Sequence, residues 1–292
     1  MLADRSYGEQ AQQARAALAT VDPTPGVAKP NSILTADGVR RHFGGIIAVD
    51  VKHIEVQRGS ITALIGPNGA GKTTLFNLLS GFDKPDVGEW RFDGHNMSRV
   101  APHKTASMGM VRTFQLTKSL TKMSVIENMK LGAMHQVGEK WWKGLLPTLW
   151  RSQDIKIEER ADDLLKRFKM DHMRNEYAGT LSGGQRKLLE MARALMTEPS
   201  LVMLDEPMAG VNPALKQNLN EHIRGLRDDG MTVLFVEHDM DMVNDVADWV
   251  IVMAEGMIIA EGTPEQIASN GKVVEAYLGL HQGKSLLDEA AQ

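Results

Sequence analysis

Three short apolar runs recur along the chain, at Ile61–Ile65, residues 201–204 and Thr232–Val236, and each stops at polar residues or glycine. Nearly uninterrupted apolar runs are the pattern of parallel strands covered on both faces. Residues 54–58 predict a further strand. Open α/β sheets bind ligands beyond the carboxyl ends of their strands, so chemistry is expected where these runs stop. From about residue 117 to 181 the pattern becomes mostly helical, with Leu164, Leu165 and Phe168 at helical spacing. Residues 187–196 predict an amphipathic helix, with Leu188, Ala192 and Leu195 on one stripe. Residues 272–279 predict a short terminal helix. No internal repeat is visible.

Residues 1–32 read as a disordered tail rich in Ala, Gln and Pro, because Pro23, Pro25 and Pro30 interrupt any continuous helix. At most a short helix over residues 9–19 is expected there, from its Ala and Gln content. Residues 280–292 read as a flexible C-terminal tail.

The 292 residues are 42% hydrophobic, enough for one large core or two smaller ones. A formal charge of −4 argues against a nucleic-acid partner, since phosphate backbones reward basic surfaces. The absence of cysteine excludes disulfides and thiolate metal sites, and suits a reducing compartment. No apolar run approaches the roughly 20 residues needed to cross a bilayer. The start of the chain lacks a basic-then-apolar leader pattern, so neither secretion nor insertion is expected. Work at a membrane would require docking on a partner that spans it.

Gly66-Pro67-Asn68-Gly69-Ala70-Gly71-Lys72-Thr73 matches the Walker A phosphate-binding pattern, between an apolar strand and a helix that Thr74 begins. The glycines let successive backbone amides turn inward, and the helix adds its positive end. Lys72 suits the β- and γ-phosphates of ATP, and the Thr73 hydroxyl suits Mg²⁺. GTPases, kinases and helicases share this motif. The strand over residues 201–204 ends in Asp205 and Glu206. Asp205 would hold Mg²⁺ through water, and Glu206 could polarise an attacking water.

Leu181-Ser182-Gly183-Gly184-Gln185 discriminates further. A hydroxyl, two glycine amides and a helix start form a second anion-binding surface. Two such surfaces with one Walker A motif predict a two-fold, head-to-tail dimer, each ATP held between the cradle of one subunit and Ser182, Gly183, Gly184 and Gln185 of the other.

With these motifs in this order, the chain resembles the nucleotide-binding subunits of ABC transporters over about residues 33–279. The resemblance implies an α/β P-loop NTPase core with a mainly parallel sheet, an antiparallel β subdomain near the N-terminus, and a helical lobe inserted at about residues 117–185. It implies that Phe43 stacks on adenine, where many relatives have Tyr. It implies that Gln115, in Arg112-Thr113-Phe114-Gln115, touches Mg²⁺, and that His238 bonds the γ-phosphate. Glu206, His238 and Lys72 are the implied catalytic set. The usual Asp of the loop after the acidic pair is here Asn212, which implies altered tuning.

Within the family the chain is most similar to the ATPases of branched-chain amino-acid importers. Arg112-Thr113-Phe114-Gln115, Val125-Ile126-Glu127-Asn128, Gly210-Val211-Asn212-Pro213, Glu237-His238-Asp239-Met240 and Ala276-Tyr277-Leu278-Gly279 carry that likeness. It implies a second ATPase (a copy or a paralogue), two transmembrane permeases and indirectly a solute-binding protein, with this subunit peripheral on the inner face of a bacterial plasma membrane. Urea or amide import, lipopolysaccharide-type export and a non-transport ABC ATPase are the alternatives. Trp141, Trp142 and Trp150 mark an aromatic patch that reads either as packing or as a permease or bilayer contact.

Overall fold

The computed structural model of the protein describes residues 2–113, 120–134 and 147–277. Helix α1 (Leu2–Ala19) precedes a long hairpin, β1 (Ser32–Phe43) and β2 (Ile46–Gln57), and then β3 (Ile61–Ile65). Next come α2 (Lys72–Leu79), β4 (Val87–Phe92), β5 (His95–Asn96), α3 (Pro102–Ser107) and β6 (Met110–Arg112). A helical stretch follows, with α4 (Val125–Lys130), α5 (Pro147–Arg167) and α6 (Gly183–Leu195). The chain then alternates through β7 (Leu201–Asp205), α7 (Pro213–Asp228), β8 (Thr232–Val236) and α8 (Met240–Val246), ending with the hairpin β9 (Trp249–Ala254) and β10 (Met257–Gly262) and helix α9 (Pro264–Ala268). Residues 271–277 are helical.

Among the described residues, six strands form a sheet in the order β10-β9-β3-β8-β7-β6, and four form a second sheet in the order β2-β1-β4-β5. The first is parallel except where β10 pairs with β9. The second is antiparallel throughout.

The apolar runs are uninterrupted because both faces of the parallel sheet are covered. Ile61, Ala63, Ile65, Val202, Leu204, Val233 and Phe235 point into a core shared with α5, α6 and α7. Leu64, Leu201, Met203, Leu234 and Val236 point into a second core, built with α2 and the antiparallel sheet. Leu188, Ala192 and Leu195 of α6 are buried in the first core, as their stripe predicts. The Trp141–Trp142 pair and residues 280–292 lie outside the described residues.

Residues 1–32 correct the expectation of a disordered tail. Helix α1 runs the whole way from Leu2 to Ala19, and Ala11, Ala14 and Leu18 are buried on one face. The two alanines allow close approach, and a Cβ on Gly59 would lie 3.8 Å from that of Ala14. Arg15 bonds Asp248 at 3.1 Å. Beyond the helix, the buried Lys29 ammonium pairs with the buried Glu261 carboxylate, which also accepts the amides of Gly26 and Val27 and the Trp249 indole N–H at 2.9 Å. Pro23, Pro25 and Pro30 do interrupt the helix, but the segment that carries them is strapped to the β9–β10 hairpin.

Candidate functional site

Strands β3, β8 and β7 lie side by side, with Leu64 opposite Val236 and Val236 opposite Asp205. The segments that leave these strands therefore emerge at one rim. After β3 comes Gly66, after β7 Glu206 and after β8 Glu237 and His238.

The turn from β3 to α2 is tight. Gly66 has φ of 148° and Gly71 of 97°. A Cβ on Gly66 would sit 2.1 Å from the Met253 carbonyl oxygen, and one on Gly71 2.3 Å from that of Ala48. These glycines are required by backbone packed beneath the loop. Gly69, with φ of 82°, meets nothing within 4 Å. Gly71 is the N-cap of α2 and supplies no side-chain cap, so the first-turn amides of α2 lack an intrahelical acceptor. The buried Lys72 ammonium spans the loop, donating to the carbonyls of Gly66 at 2.7 Å and Pro67 at 2.8 Å. Burial lowers its pKa, opposed by the charge of Glu206. Asn68, Gly69 and Thr73 are exposed, Pro67 and Thr74 half-buried, and Ala70 buried.

Phe43 ends β1 with its ring exposed, and the Arg41 guanidinium lies 4.9 Å from the ring centroid. Asp83 at 2.9 Å and Asp86 at 2.7 Å hold Arg41 in place.

Asp205 is buried, and its Oδ2 accepts from Arg112 Nη2 at 2.7 Å. Arg112 also donates to Asn77 Oδ1 at 2.7 Å and Ser80 Oγ at 2.9 Å, beside the Phe76 ring. It thereby ties β6 and β7 to α2. Glu206 follows in the left-handed region, with φ of 44°, an unusual conformation for a side-chain-bearing residue. Its amide donates to the Val236 carbonyl at 3.0 Å, and its carbonyl accepts from Ala209 at 3.1 Å.

The His238 ring is exposed at the end of β8. The fully buried Glu237 arranges the segment around it, accepting from Met208 N at 2.8 Å through Oε1 and from His238 N at 2.9 Å through Oε2. Asn212 is the N-cap of α7, accepting from Leu215 N at 2.9 Å, a role that Asp fills equally well. Gln115 lies outside the described residues. Thr113 N donates to the Met203 carbonyl at 2.9 Å, which carries the chain to within two residues of it.

Ser182 caps α6. Its hydroxyl accepts from Gln185 N at 3.3 Å, while Gln185 Oε1 accepts from Ser182 N at 2.8 Å. This reciprocal box leaves Gly183 and Gly184 at the helix start, where amides have no intrahelical acceptor. Among the described residues no hydrogen bond joins residues 182–185 to the phosphate loop. A Cβ on Gly184 would lie 2.8 Å from Leu215 Cδ2, so α6 and α7 approach closely here.

The rim thus combines convergent amides, an ammonium, two carboxylates and an imidazole, which suits a polyphosphate whose terminal group is attacked by water. The described residues contain no cluster of three or more His, Cys, Asp or Glu that could hold a metal ion by themselves. In polyphosphate sites Mg²⁺ is held by one or two protein groups together with substrate phosphates. The exposed Thr73 hydroxyl and the Asp205 carboxylate are of the right chemistry. Sequence reasoning missed the roles of Arg112 and Glu237. The signal for Glu237 was a carboxylate at the end of a buried strand, which needs donors around it.

Residues 49–209 match the family described as ABC transporter, and residues 257–281 match that described as branched-chain amino acid ATP-binding cassette transporter. The chain is 42% identical over 247 residues to a probable branched-chain amino acid transport ATP-binding protein of Archaeoglobus fulgidus, covering 85% of this chain and 95% of that one. It is 40% identical over 249 residues to a high-affinity branched-chain amino acid transport ATP-binding protein of Pseudomonas aeruginosa, covering 85% and 98%. The solved structure of a nucleotide-free ATP-binding cassette from an ABC transporter matches with a TM-score of 0.73 and 38% identity, over 84% of this chain and 98% of that one. The chain belongs to the ATP-binding subunits of ABC transporters, a P-loop family that binds and hydrolyses ATP.

Proposed function

We propose that this chain powers the import of branched-chain amino acids, as one half of a head-to-tail ATPase dimer docked beneath two membrane permeases. The observation that carries the dimer is that α6 begins at a second glycine-bearing helix start, Ser182–Gln185, apart from the phosphate loop that begins α2. A partner's triphosphate gives the second its ligand. The cargo rests on the relatives named above and on the C-terminal match. No helix of the described residues is long and apolar enough to cross a membrane, which fits a subunit attached to the cytoplasmic face through its permeases.

In this reading Phe43 stacks on adenine, residues 66–74 wrap the phosphates and Lys72 neutralises them. Thr73, Asp205 through water, and Gln115 would hold Mg²⁺, which would supply further positive charge to the phosphates. Glu206 accepts a proton from the attacking water, and the exposed His238 imidazole donates to the γ-phosphate. Ser182, Gly183, Gly184 and Gln185 close on the nucleotide held by the partner. Loss of the γ-phosphate reopens the pair, and the segment around Gln115 passes that motion to a permease.

The test replaces the chromosomal copy with Glu206→Gln. The purified variant should bind ATP as tightly as the parent while cells lose uptake of labelled leucine. Leucine uptake at the parental rate would contradict the assignment.

A further inference from the structure

Lys187 lies on α6, two residues beyond the Ser182–Gln185 box, and is half-buried. Its ammonium donates to the carbonyl of Glu206 at 3.1 Å and to that of Pro207 at 3.0 Å. Both acceptors are peptide groups of the turn that leaves β7. Burial pushes this amine down from its usual value, against the charges of Glu237, Glu190 and Glu206, which face it from β8, from α6 itself and from that turn. A lysine held half-buried against two carbonyls is a fixed strut, not a solvated surface charge.

The turn it grips is unusual. Glu206 sits at φ of 44°, a conformation that persists only where its surroundings impose it. Three groups do so. The Val236 carbonyl accepts the Glu206 amide at 3.0 Å, Glu237 Oε1 takes the Met208 amide at 2.8 Å, and Lys187 takes the two carbonyls between them. Of the three, only Lys187 comes from the helix whose start carries the second anion-binding surface.

We infer that Lys187 is a positioning residue that couples the two half-sites of one subunit, letting the helix that grasps the partner's nucleotide set the turn that aims this subunit's own Glu206. The inference rests on the dimer and on the role of Glu206 given above. A small shift of α6 towards the partner's triphosphate moves the Lys187 ammonium with it, and the carbonyls of residues 206 and 207 follow. The Glu206 carboxylate is attached directly to that peptide. Hydrolysis in one site is thereby made sensitive to occupancy of the other.

The test compares Lys187→Met and Lys187→Arg with the parent, all as full-length chains. Lys187→Met should lower kcat for ATP at least tenfold, with KM and the affinity for a fluorescent ATP analogue within twofold of the parent. Amide exchange should quicken at residues 206, 208 and 209 while the melting temperature is unchanged, and Lys187→Arg should recover half or more of kcat. An unchanged kcat in Lys187→Met overturns the inference. So does a parallel loss of kcat, affinity and melting temperature that Lys187→Arg does not rescue, because that is a structural lysine. The parent reading is tested separately by Glu206→Gln. If that variant turns over ATP at the parental rate, Glu206 loses its assigned role, whatever Lys187 does.

Discussion

The guanidinium of Arg112 and the carboxylate of Asp205 form a buried ion pair at 2.7 Å, joining the strand that leads towards Gln115 to the strand that ends at Glu206. Arg112 has further acceptors on α2 in Asn77 and Ser80. One side chain therefore fixes three elements that meet at the nucleotide rim. It also gives Asp205 a partner at a depth where an unpaired carboxylate would be costly.

Removing the cation should be severe. Arg112→Leu leaves Asp205 buried without its partner and should destabilise the chain by about 3–5 kcal/mol. Urea unfolding measures this. The double variant Arg112→Leu/Asp205→Asn should unfold less readily than Arg112→Leu alone. A single-variant loss below about 1 kcal/mol, the scale of a surface pair, would contradict the burial argument.

The loop glycines are expected to differ sharply. Gly71→Ala places a methyl 2.3 Å from the Ala48 carbonyl oxygen, which belongs to backbone and cannot step aside. Gly69→Ala meets open space and should cost only the left-handed conformation, about 1–2 kcal/mol. ATP titration should find Gly69→Ala still binding and Gly71→Ala not. Equal affinities would refute this reading of the loop.

His222 makes stability depend on pH. Its ring stacks on Phe168 with centroids 4.5 Å apart, where α7 meets the chain just beyond α5. Burial first, and then the charges of Arg167 and Lys169, lower its pKa below the ordinary imidazole value of about 6.5. As pH falls through about 6.5 the unfolded chain takes up a proton that the folded chain refuses, so stability is lost on the acid side. His222→Phe should flatten that part of the stability profile between about pH 7 and 5. Chemical denaturation at a series of pH values checks it. Identical slopes in parent and variant would show that His222 contributes nothing there.

The sheet and the phosphate loop were legible because each strand of the site is covered on both faces and ends at chemistry. The apolar runs mark Ile61–Ile65 and Thr232–Val236 at their observed limits. The N-terminal helix was under-read for the opposite reason. Its buried face is made of Ala11, Ala14 and Leu18, and two alanines leave little hydrophobic signal. The strap that follows depends on Lys29 meeting Glu261, a contact between residues 232 positions apart that no local pattern announces. The same holds for Lys187 and Arg112. Each looks like an ordinary basic residue until the fold supplies carbonyls or a carboxylate from a distant segment. At Ser182 and Gln185 the helix start was legible, and the structure adds that the two residues form a capping box there.

The central claim is that each ATP is hydrolysed between two chains, and the most direct measurement is ATP turnover per chain as chain concentration is varied. The rate per chain should rise with concentration and level off where light scattering of Glu206→Gln with ATP reaches twice the monomer mass. A rate per chain that stays constant down to dilutions where only monomer scatters would contradict it.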